Sequence, residues 1–293
     1  MRIAVTGKSG QVVTSLIERG TAAGHDVVPL GRPELDLADA GSIGHTLAAA
    51  EPEAIVSAAA YTAVDTAENE PDLAHAINGE GAAAVAAAAA DLGVPLIHLS
   101  TDYVFDGRLD RPWTERDPTR PTGVYGVSKL AGEEAVLAIY PGNSAVLRTA
   151  WIYSPFGNNF VRTMLRLAGE RDEVSVVVDQ IGNPTNALDI ADGVLEVAGN
   201  LIAHDAPALR GIFHMSGRGE ASWAEFAQAV FAASAARGGP SAAVKPVGTS
   251  DYPTPARRPA NSRLDCTKLA RAHRVILPDW REALPPVVGR LLA

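Results

Sequence analysis

The chain has 293 residues, of which 47% are hydrophobic and 20% charged, and its formal net charge is −9. This composition predicts one large folded domain or two smaller ones. The acidic balance argues against a partner that is nucleic acid or an anionic membrane, because both carry negative charge themselves.

Cellular location is suggested by two features. The single cysteine, Cys266, leaves no intramolecular disulfide to form and fits a reducing cytoplasm. The start, "MRIAVTGKSGQ", enters a strand pattern without signal-peptide anatomy, and the longest apolar stretch is alanine-dominated and interrupted by Asp91, Gly93 and Pro95. We therefore expect a cytoplasmic protein with no membrane span.

Short apolar runs alternate with helical segments in the first half of the chain. Strands are predicted at 2–6, 26–30, 54–60, 95–100 and 144–149, with helices between them. The alternation predicts an α/β fold with a doubly wound parallel sheet covered on both faces. Such sheets bind ligands at the carboxyl ends of their strands, so the loops after residues 6, 30, 60, 100 and 149 are candidate sites.

Beyond about residue 150 the alternation weakens. Strands are predicted at 173–178 and 211–216, and helices at about 186–198 and 222–236. The stretch 237–262 is rich in Gly, Pro and Ser, and is either a linker or a loop that wraps a second, smaller lobe. The apolar run "VILPDW" that follows it favours the loop.

The first strand-to-helix turn, "VTGKSGQV", predicts a phosphate site. Gly7 and Gly10 allow a pyrophosphate to approach the backbone, and the helix that follows offers free N–H groups. Val13 stands where a third glycine is usual, which predicts a helix set slightly outward. This turn predicts a dinucleotide as the bound cofactor.

The second strand ends in "PLGRPELDL", with no carboxylate at its tip to bind a ribose hydroxyl. Arg32 is placed to meet a 2′-phosphate, which favours NADPH over NADH; an ordinary surface arginine is the alternative. Asp36 and Leu37 lie further along and are expected to flank the adenine.

The pentapeptide "YGVSK" places Tyr125 and Lys129 four positions apart, on one face of a predicted helix. A lysine beside a phenol lowers the pKa of the phenol and makes it an acid that works nearer neutral pH. Two solvated helix residues are the alternative. The histidines show no metal-ligand spacing, and we expect no metal site.

Together these motifs give the chain a family resemblance. It resembles the extended short-chain dehydrogenase/reductase superfamily and, within it, the dTDP-4-dehydrorhamnose reductase family. The residues that carry the resemblance are "GKSGQV" at 7–12, "AAAYTAVDTAENEP" at 58–71, "STDYVFDG" at 100–107, "YGVSKLAGE" at 125–133, "RTAWIY" at 148–153, "GNNF" at 157–160, "DQIGNPT" at 179–185 and "RPANSRLD" at 258–265.

The resemblance implies a Rossmann-type NAD(P)-binding domain over residues 1–150. Residues 151–293 would form mainly a smaller α/β lobe for a nucleotide-sugar, with some segments returning to the first domain. The implied reaction is the reduction of the 4-keto group of a dTDP-4-dehydro sugar with NADPH, or with NADH. The resemblance leaves a homodimer open.

The resemblance also implies roles for individual residues. Tyr125 matches the catalytic tyrosine, Lys129 its partner and Thr101 the catalytic hydroxyl residue. Cofactor positions are Gly7, Gly10, Gln11, Val12, Ala58, Ala59 and Ala60, together with Tyr125 and Lys129. Substrate positions are Thr101, Asp102 and Trp151, although Trp151 alone reads equally well as a core aromatic residue. Arg258, in the proline-rich segment, is placed to pair with a diphosphate.

Two alternatives stay open at this point. One is a reductase of another dTDP-4-keto-6-deoxy sugar, since the sequence does not show stereochemistry. The other is a non-catalytic NADP-binding regulatory subunit, like the β subunit of methionine adenosyltransferase. The intact set of Thr101, Tyr125 and Lys129 argues against the second.

Overall fold

Runs of apolar, mostly β-branched residues form the strands of a central sheet. The computed structural model describes residues 1–293, and six strands pair in parallel in the order β10-β5-β4-β3-β1-β2. The sheet grows in one direction from β1 to β2 and in the other from β3 outward. The prediction of a parallel α/β sheet is confirmed, and the boundary between β1 and β3 is the switch point where such sheets bind ligands.

The elements have the following bounds. In the first half they are β1 Arg2–Thr6, α1 Gln11–Ala22, β2 Asp26–Leu30, α2 Ala40–Ala49, β3 Ala54–Ser57, α3 Val64–Ala67, α4 Pro71–His75, α5 Gly81–Leu92, β4 Leu96–Thr101, α6 Val124–Ile139 and β5 Ser144–Thr149. In the second half they are β6 Ile152–Tyr153, α7 Phe160–Ala168, β7 Glu173–Val177, β8 Ile181–Gly182, β9 Thr185–Asn186, α8 Ala187–Ala203, β10 Gly211–His214, β11 Ala221–Ser222, α9 Trp223–Ala235, β12 Ala243–Val247, α10 Thr267–His273 and α11 Trp280–Leu292.

Both faces of the central sheet are buried. Because side chains alternate along a strand, Ile3 and Val5 pack on the face covered by α1 and α8, whereas Ala4 packs on the face covered by α2 and α5. The alanines of α5 permit close packing on this second face. A second core lies apart from the sheet and is built from α7, β7, α9 and α11. None of the helices is both long and apolar enough to span a bilayer.

Several elements differ from the sequence-based prediction. The third strand ends at Ser57, so residues 58–60 are an irregular segment. The stretch 237–262 is not loop throughout, because it contains β12, which pairs in parallel with β7. Strand β10 joins the central sheet beside β5. The chain after residue 150 therefore contributes both to the second core and to the central sheet.

Close contacts made by glycines fix the position of α6. A Cβ at Gly126 would lie 2.3 Å from the carbonyl oxygen of Tyr103, and one at Gly132 would lie 2.2 Å from that of Asn78. Only glycine permits such approaches of backbone to backbone. The helix that carries Tyr125 and Lys129 therefore lies directly against the turn that follows β4.

Candidate functional site

The site is built where β4 ends. Thr101 is its last residue and is buried, and its Oγ1 accepts a hydrogen bond from the Tyr103 amide at 3.2 Å. The same hydroxyl donates to Asp102 Oδ1 at 3.1 Å. Thr101 also sits in register with Thr149, the last residue of β5, whose hydroxyl is buried without a partner. The predicted position of Thr101 at the carboxyl edge of the sheet is confirmed.

Tyr125 lies in the first turn of α6 and is half-buried beside this edge. Its ring meets that of Tyr103 edge-on, with 5.5 Å between centroids. Burial raises the pKa of Tyr125, the hydroxyl of Thr101 lowers it, and the charge of Asp102 raises it further. The expectation of a lowered pKa for this phenol is wrong, because burial is the largest influence and raises the pKa. The phenol is therefore fully protonated at neutral pH.

Lys129 lies one turn further along α6 and is buried. Its Nζ donates to the carbonyl oxygen of Leu99 at 2.7 Å and lies 3.4 Å from His98 Nε2. Burial lowers the pKa of Lys129 to about 8, and the neighbouring carboxylate of Glu133 opposes that shift. An ammonium has three N–H donors, so one remains for a ligand.

Asp102 carries a buried carboxyl group near the hydroxyls of Thr101 and Ser262. Burial raises the pKa of Asp102 to about 6, and the hydroxyls of Ser262 and Thr101 partly offset this effect. Its Oδ2 is buried without a hydrogen-bond partner. A buried polar atom left unpaired is unfavourable in the protein alone, and suits a ligand that donates a hydrogen bond.

The first turn fits a dinucleotide cofactor. Gly7 and Gly10 have φ angles of 104° and 127°, in the region that favours glycine. Gly10 precedes α1, where no side chain caps the free backbone N–H groups, and a Cβ at Gly10 would meet nothing within 4 Å. The helix start is thus open to an anion. Gln11 begins the helix, and its Oε1 accepts from Ser154 Oγ at 2.9 Å; Val12 is buried in the core.

The irregular segment after β3 lies beside this turn. The amides of Ala58 and Ala59 both donate to Thr6 Oγ1 at 3.0 Å, and the Ala59 side chain would lie 3.4 Å from a Cβ on Gly7. Ala58, Ala59 and Ala60 are all half-buried. This segment and the glycine turn flank the switch point of the sheet from its two sides.

The residues after β2 make separate contacts. Arg32 is exposed and forms no salt bridge, so its guanidinium is available to a phosphate. Asp36 Oδ1 accepts from the Ala38 amide at 3.0 Å, and Leu37 is buried in the core of the α2 and α5 face. These contacts give Asp36 and Leu37 structural tasks, and their place beside an adenine stays a prediction.

Trp151 follows β5 and has an uncommon backbone conformation. Its φ is 49°, a left-handed value that is rare for a bulky residue and recurs at functional sites. Its ring stacks on Trp223, with 3.5 Å between centroids and 6° between planes. A Cβ at Gly182 would lie 2.5 Å from the Trp151 ring. The tryptophan is half-buried, lies between Trp223 and Gly182, and packs against a small apolar cluster that contains Phe105 and Leu264.

Arg258, from the second half of the chain, contacts Asp65 and Tyr103 of the first half. Its Nη2 pairs with Asp65 Oδ2 at 2.8 Å, and its Nη1 lies 3.4 Å from the Tyr103 hydroxyl. Asp65 Oδ1 also accepts from the Ala256 amide at 3.2 Å. Arg258 lines a cavity of about 920 Å³, together with Arg108 and its neighbours at 106–110 and with other residues of the proline-rich segment.

Two features of the site were not singled out from the sequence. Trp223 supports Trp151 from the start of α9, and Asp65 binds Arg258 from 193 positions away. Neither residue carries a local sequence signal for its contact, since both contacts join distant parts of the chain. Asp65 does lie within the quoted segment 58–71, which was its one available marker.

Comparison with known proteins extends these observations along the whole chain. The family model described as "RmlD substrate binding domain" matches residues 1–292. A dTDP-4-dehydrorhamnose reductase of Sinorhizobium fredii is 50% identical over 292 residues, covering 100% of this chain and 98% of the relative.

Solved structures agree with the sequence relatives. A dTDP-4-dehydrorhamnose reductase of Clostridium acetobutylicum superposes with a TM-score of 0.92 at 35% identity, over 100% of both chains. The Bacillus anthracis dTDP-4-dehydrorhamnose reductase in complex with NADP superposes with a TM-score of 0.90 at 36% identity, over 98% of both chains. This agreement in sequence and structure confirms the resemblance drawn from the motifs, and the chain belongs to the dTDP-4-dehydrorhamnose reductase family.

Proposed function

We propose that the chain reduces the 4-keto group of dTDP-4-dehydro-L-rhamnose to dTDP-L-rhamnose, with NADPH as the preferred reductant and NADH as a possible one. The observation that carries the proposal is the convergence of Thr101, Tyr125 and Lys129 at the carboxyl end of β4. The relatives named above, which share the full length of the chain, are dTDP-4-dehydrorhamnose reductases.

Reduction of a ketone needs a hydride at carbon and a proton at oxygen. A bound nicotinamide would supply the hydride from the switch point between β1 and β3. Tyr125 supplies the proton, because its raised pKa keeps the phenol protonated until charge develops on the substrate oxygen. The hydroxyl of Thr101, beside the phenol, donates to the same oxygen once its single proton turns away from Asp102 Oδ1.

Lys129 orients the cofactor and stabilises the phenolate that remains. Its two β4 partners leave one N–H for a ribose hydroxyl at the site. A cation fixed at this place also favours loss of the proton from Tyr125 as the substrate oxygen becomes negative. The same residue thus links cofactor position to proton transfer.

The nucleotide-sugar would lie across Asp102, Trp151 and Arg258. The unpaired Oδ2 of Asp102 accepts from a sugar hydroxyl, and the Trp151 ring forms an apolar wall. The cavity beside Arg258, of about 920 Å³, has room for the nucleotide. Its arginines suit a diphosphate, although Asp106, Asp110 and Asp179 also line the cavity. In this assignment residues 1–150 bind mainly the cofactor and residues 151–293 mainly the substrate.

The single cysteine supports a further part of the proposal, an enzyme of the cytoplasm. An acidic chain with local arginines fits a phosphorylated small molecule as its partner.

The decisive experiment compares Tyr125→Phe with Tyr140→Phe, a variant at the far end of the same helix. With NADPH and dTDP-4-dehydro-L-rhamnose, Tyr125→Phe should lose roughly a hundredfold to ten-thousandfold in kcat, while the Kd for NADPH changes little. Tyr140→Phe should keep the unaltered rate. Full turnover by Tyr125→Phe contradicts the assignment of the acid.

A panel of dTDP-4-keto-6-deoxy sugars, with product stereochemistry read by NMR, tests the substrate. The highest kcat/KM should belong to dTDP-4-dehydro-L-rhamnose. A higher value for another sugar supports the alternative reductase, and no turnover of any sugar despite tight NADPH binding supports the regulatory subunit.

A further inference from the structure

His98 is a buried histidine that the reaction described above does not use. It lies in β4, three residues before Thr101, and its side chain is 1% exposed. Its Nε2 faces Lys129 Nζ at 3.4 Å, and its Nδ1 faces Ser57 Oγ at 3.1 Å. Ser57 is the cross-strand neighbour of His98 in β3, so the pairing of the two strands aligns the hydroxyl with the ring.

The hydrogen bonds determine the state of the ring. An ammonium can only donate, so Nε2 must present its lone pair to Lys129 and the proton must sit on Nδ1, where it donates to Ser57. A protonated ring would place two cations within 3.4 Å in a buried site. Burial and the charge of Lys129 both lower the pKa of His98 well below its usual value.

The contact between His98 and Lys129 has few other charged groups around it. Glu133, on the next turn of α6, raises the pKa of Lys129 and is itself paired with Arg148 of β5. The buried residues of α5, which packs on this face, are glycine, alanine and valine. Tyr125, one turn back on α6, and Asp102, in the turn after β4, are further titratable groups at the site. His98 is therefore the one ring that contacts Lys129 from the sheet.

We propose that His98, oriented by Ser57, is a positioning residue that holds the Lys129 ammonium towards the cofactor and Tyr125. Together with the Leu99 carbonyl it takes two of the three N–H donors, which leaves a single direction for the third. This inference rests on the proposed function. Beyond the proposed function, it assigns a fixed tautomer to the His98 imidazole and a positioning role to the pair of His98 and Ser57, which lies behind the reacting groups.

The first test reads the tautomer and needs no substrate. In protein labelled with ¹⁵N-histidine, two-bond ¹H–¹⁵N spectra separate the Nδ1–H and Nε2–H forms, and the His98 signals are assigned by their loss in His98→Gln. A neutral Nδ1–H ring from pH 6 to pH 9 is expected. An Nε2–H ring, or a ring that titrates in this range, overturns the proposal whether or not the chain is a reductase.

The second test reads the pH profile of kcat. The ammonium of Lys129 is required, so activity falls as the pH rises through its pKa of about 8. In His98→Leu the lost acceptor destabilises the ammonium, and the alkaline limb should move about one pH unit lower. In His98→Gln, whose amide oxygen can accept from Lys129, the limb should return towards its original position.

The matched control is His273→Leu. His273 is also 1% exposed, but its Nε2 bonds to the Leu209 carbonyl, outside the site. Loss of its packing changes stability and should leave the limb in place. If His98→Leu does not fold, Ser57→Ala takes its place, with a smaller shift in the same direction. The proposal is overturned if the alkaline limb of the pH profile does not move in the variant that is measured. Normal turnover by the unaltered chain in the same experiment leaves the proposed function intact.

Discussion

Glu133 and Arg148 form an ion pair behind the site, with 2.6 Å between Oε2 and Nη2 and side chains that are 1% and 2% exposed. Ser100 Oγ also donates to Glu133 Oε1, at 2.5 Å. The three residues belong to α6, β5 and β4. They therefore join the helix of Tyr125 and Lys129 to the strands that end in Thr101 and Thr149.

Removing one partner of this pair should destabilise the fold strongly. Arg148→Met leaves the Glu133 carboxylate buried without its cation, and the free energy of unfolding should fall by about 3–5 kcal/mol. Urea denaturation measures the loss. The control is Arg166→Met, which breaks an ion pair with Glu170. The side chains of this pair are 60% and 50% exposed, so the free energy of unfolding should fall by less than about 1 kcal/mol. Equal losses in the two variants contradict the role given to the buried pair.

Asp102 should make stability depend on pH in the direction opposite to that of a salt-bridged carboxyl group. Its pKa rises from 3.8 to about 6 on folding, so the native state holds the proton more tightly. The stabilisation of the fold that comes from this tighter proton binding is complete below pH 3.8 and is lost as the pH rises through about 6. Above that range the ionised carboxylate costs about 3 kcal/mol.

Asp102→Asn tests this, because the amide carries no charge. The variant should be more stable than the unaltered chain at pH 8 and lose that advantage by pH 4, as measured by thermal unfolding across the range. It should also lose activity, since Asp102 is a proposed substrate residue. A stability difference that stays constant with pH would show that folding does not raise the pKa of this carboxyl group.

The position of Trp151 depends on Gly182. Gly182→Ala puts a methyl group 2.5 Å from the indole, so the ring must move off Trp223. The KM for the dTDP sugar should rise about tenfold or more, with the KM for NADPH little changed. Gly199→Ala, a substitution in α8 with nothing within 4 Å, should leave both KM values unchanged and stabilise the fold by about 0.5–1 kcal/mol. A parallel rise in both KM values in Gly182→Ala contradicts a local effect on the sugar site.

Arg32 should decide between the two reductants. Its exposed guanidinium is free of salt bridges and follows the strand that ends near the adenosine ribose. Arg32→Ala should raise the KM for NADPH about tenfold and leave the KM for NADH unchanged, because NADH lacks the 2′-phosphate. Steady-state kinetics with both cofactors measure the ratio, and NADH serves as the internal control. Equal changes for both would make Arg32 an ordinary surface residue.

The sequence predicted well the features that depend on local pattern. The apolar runs of β1 to β5 and the spacing of Tyr125 and Lys129 are local, and the structure has the same strands and the same helical face. Strand β12 was missed because Lys245 and Pro246 interrupt its pattern. Helix α11 was missed because it contains Pro285 and Pro286, which lack the N–H that a helix interior uses.

Features that depend on distant contacts were beyond the sequence. The pairing of Asp65 with Arg258 and the stacking of Trp151 on Trp223 have no periodic signature. The pKa of Tyr125 was predicted in the wrong direction because spacing shows a neighbour but not burial, and burial is the larger influence here. The burial of Tyr125 depends on segments from distant parts of the chain that pack around it, which no local pattern shows.

The return of α8 and β10 to the central sheet sets a limit on dissecting the molecule. A recombinant fragment that stops at residue 150 would leave the outer edge of β5 without its hydrogen-bonding neighbour and the apolar side of α1 uncovered. Bare strand edges and exposed apolar helix faces are what drive chains to self-associate. We therefore expect a cofactor-binding half prepared in this way to self-associate, because residues 187–214 supply the cover that it lacks.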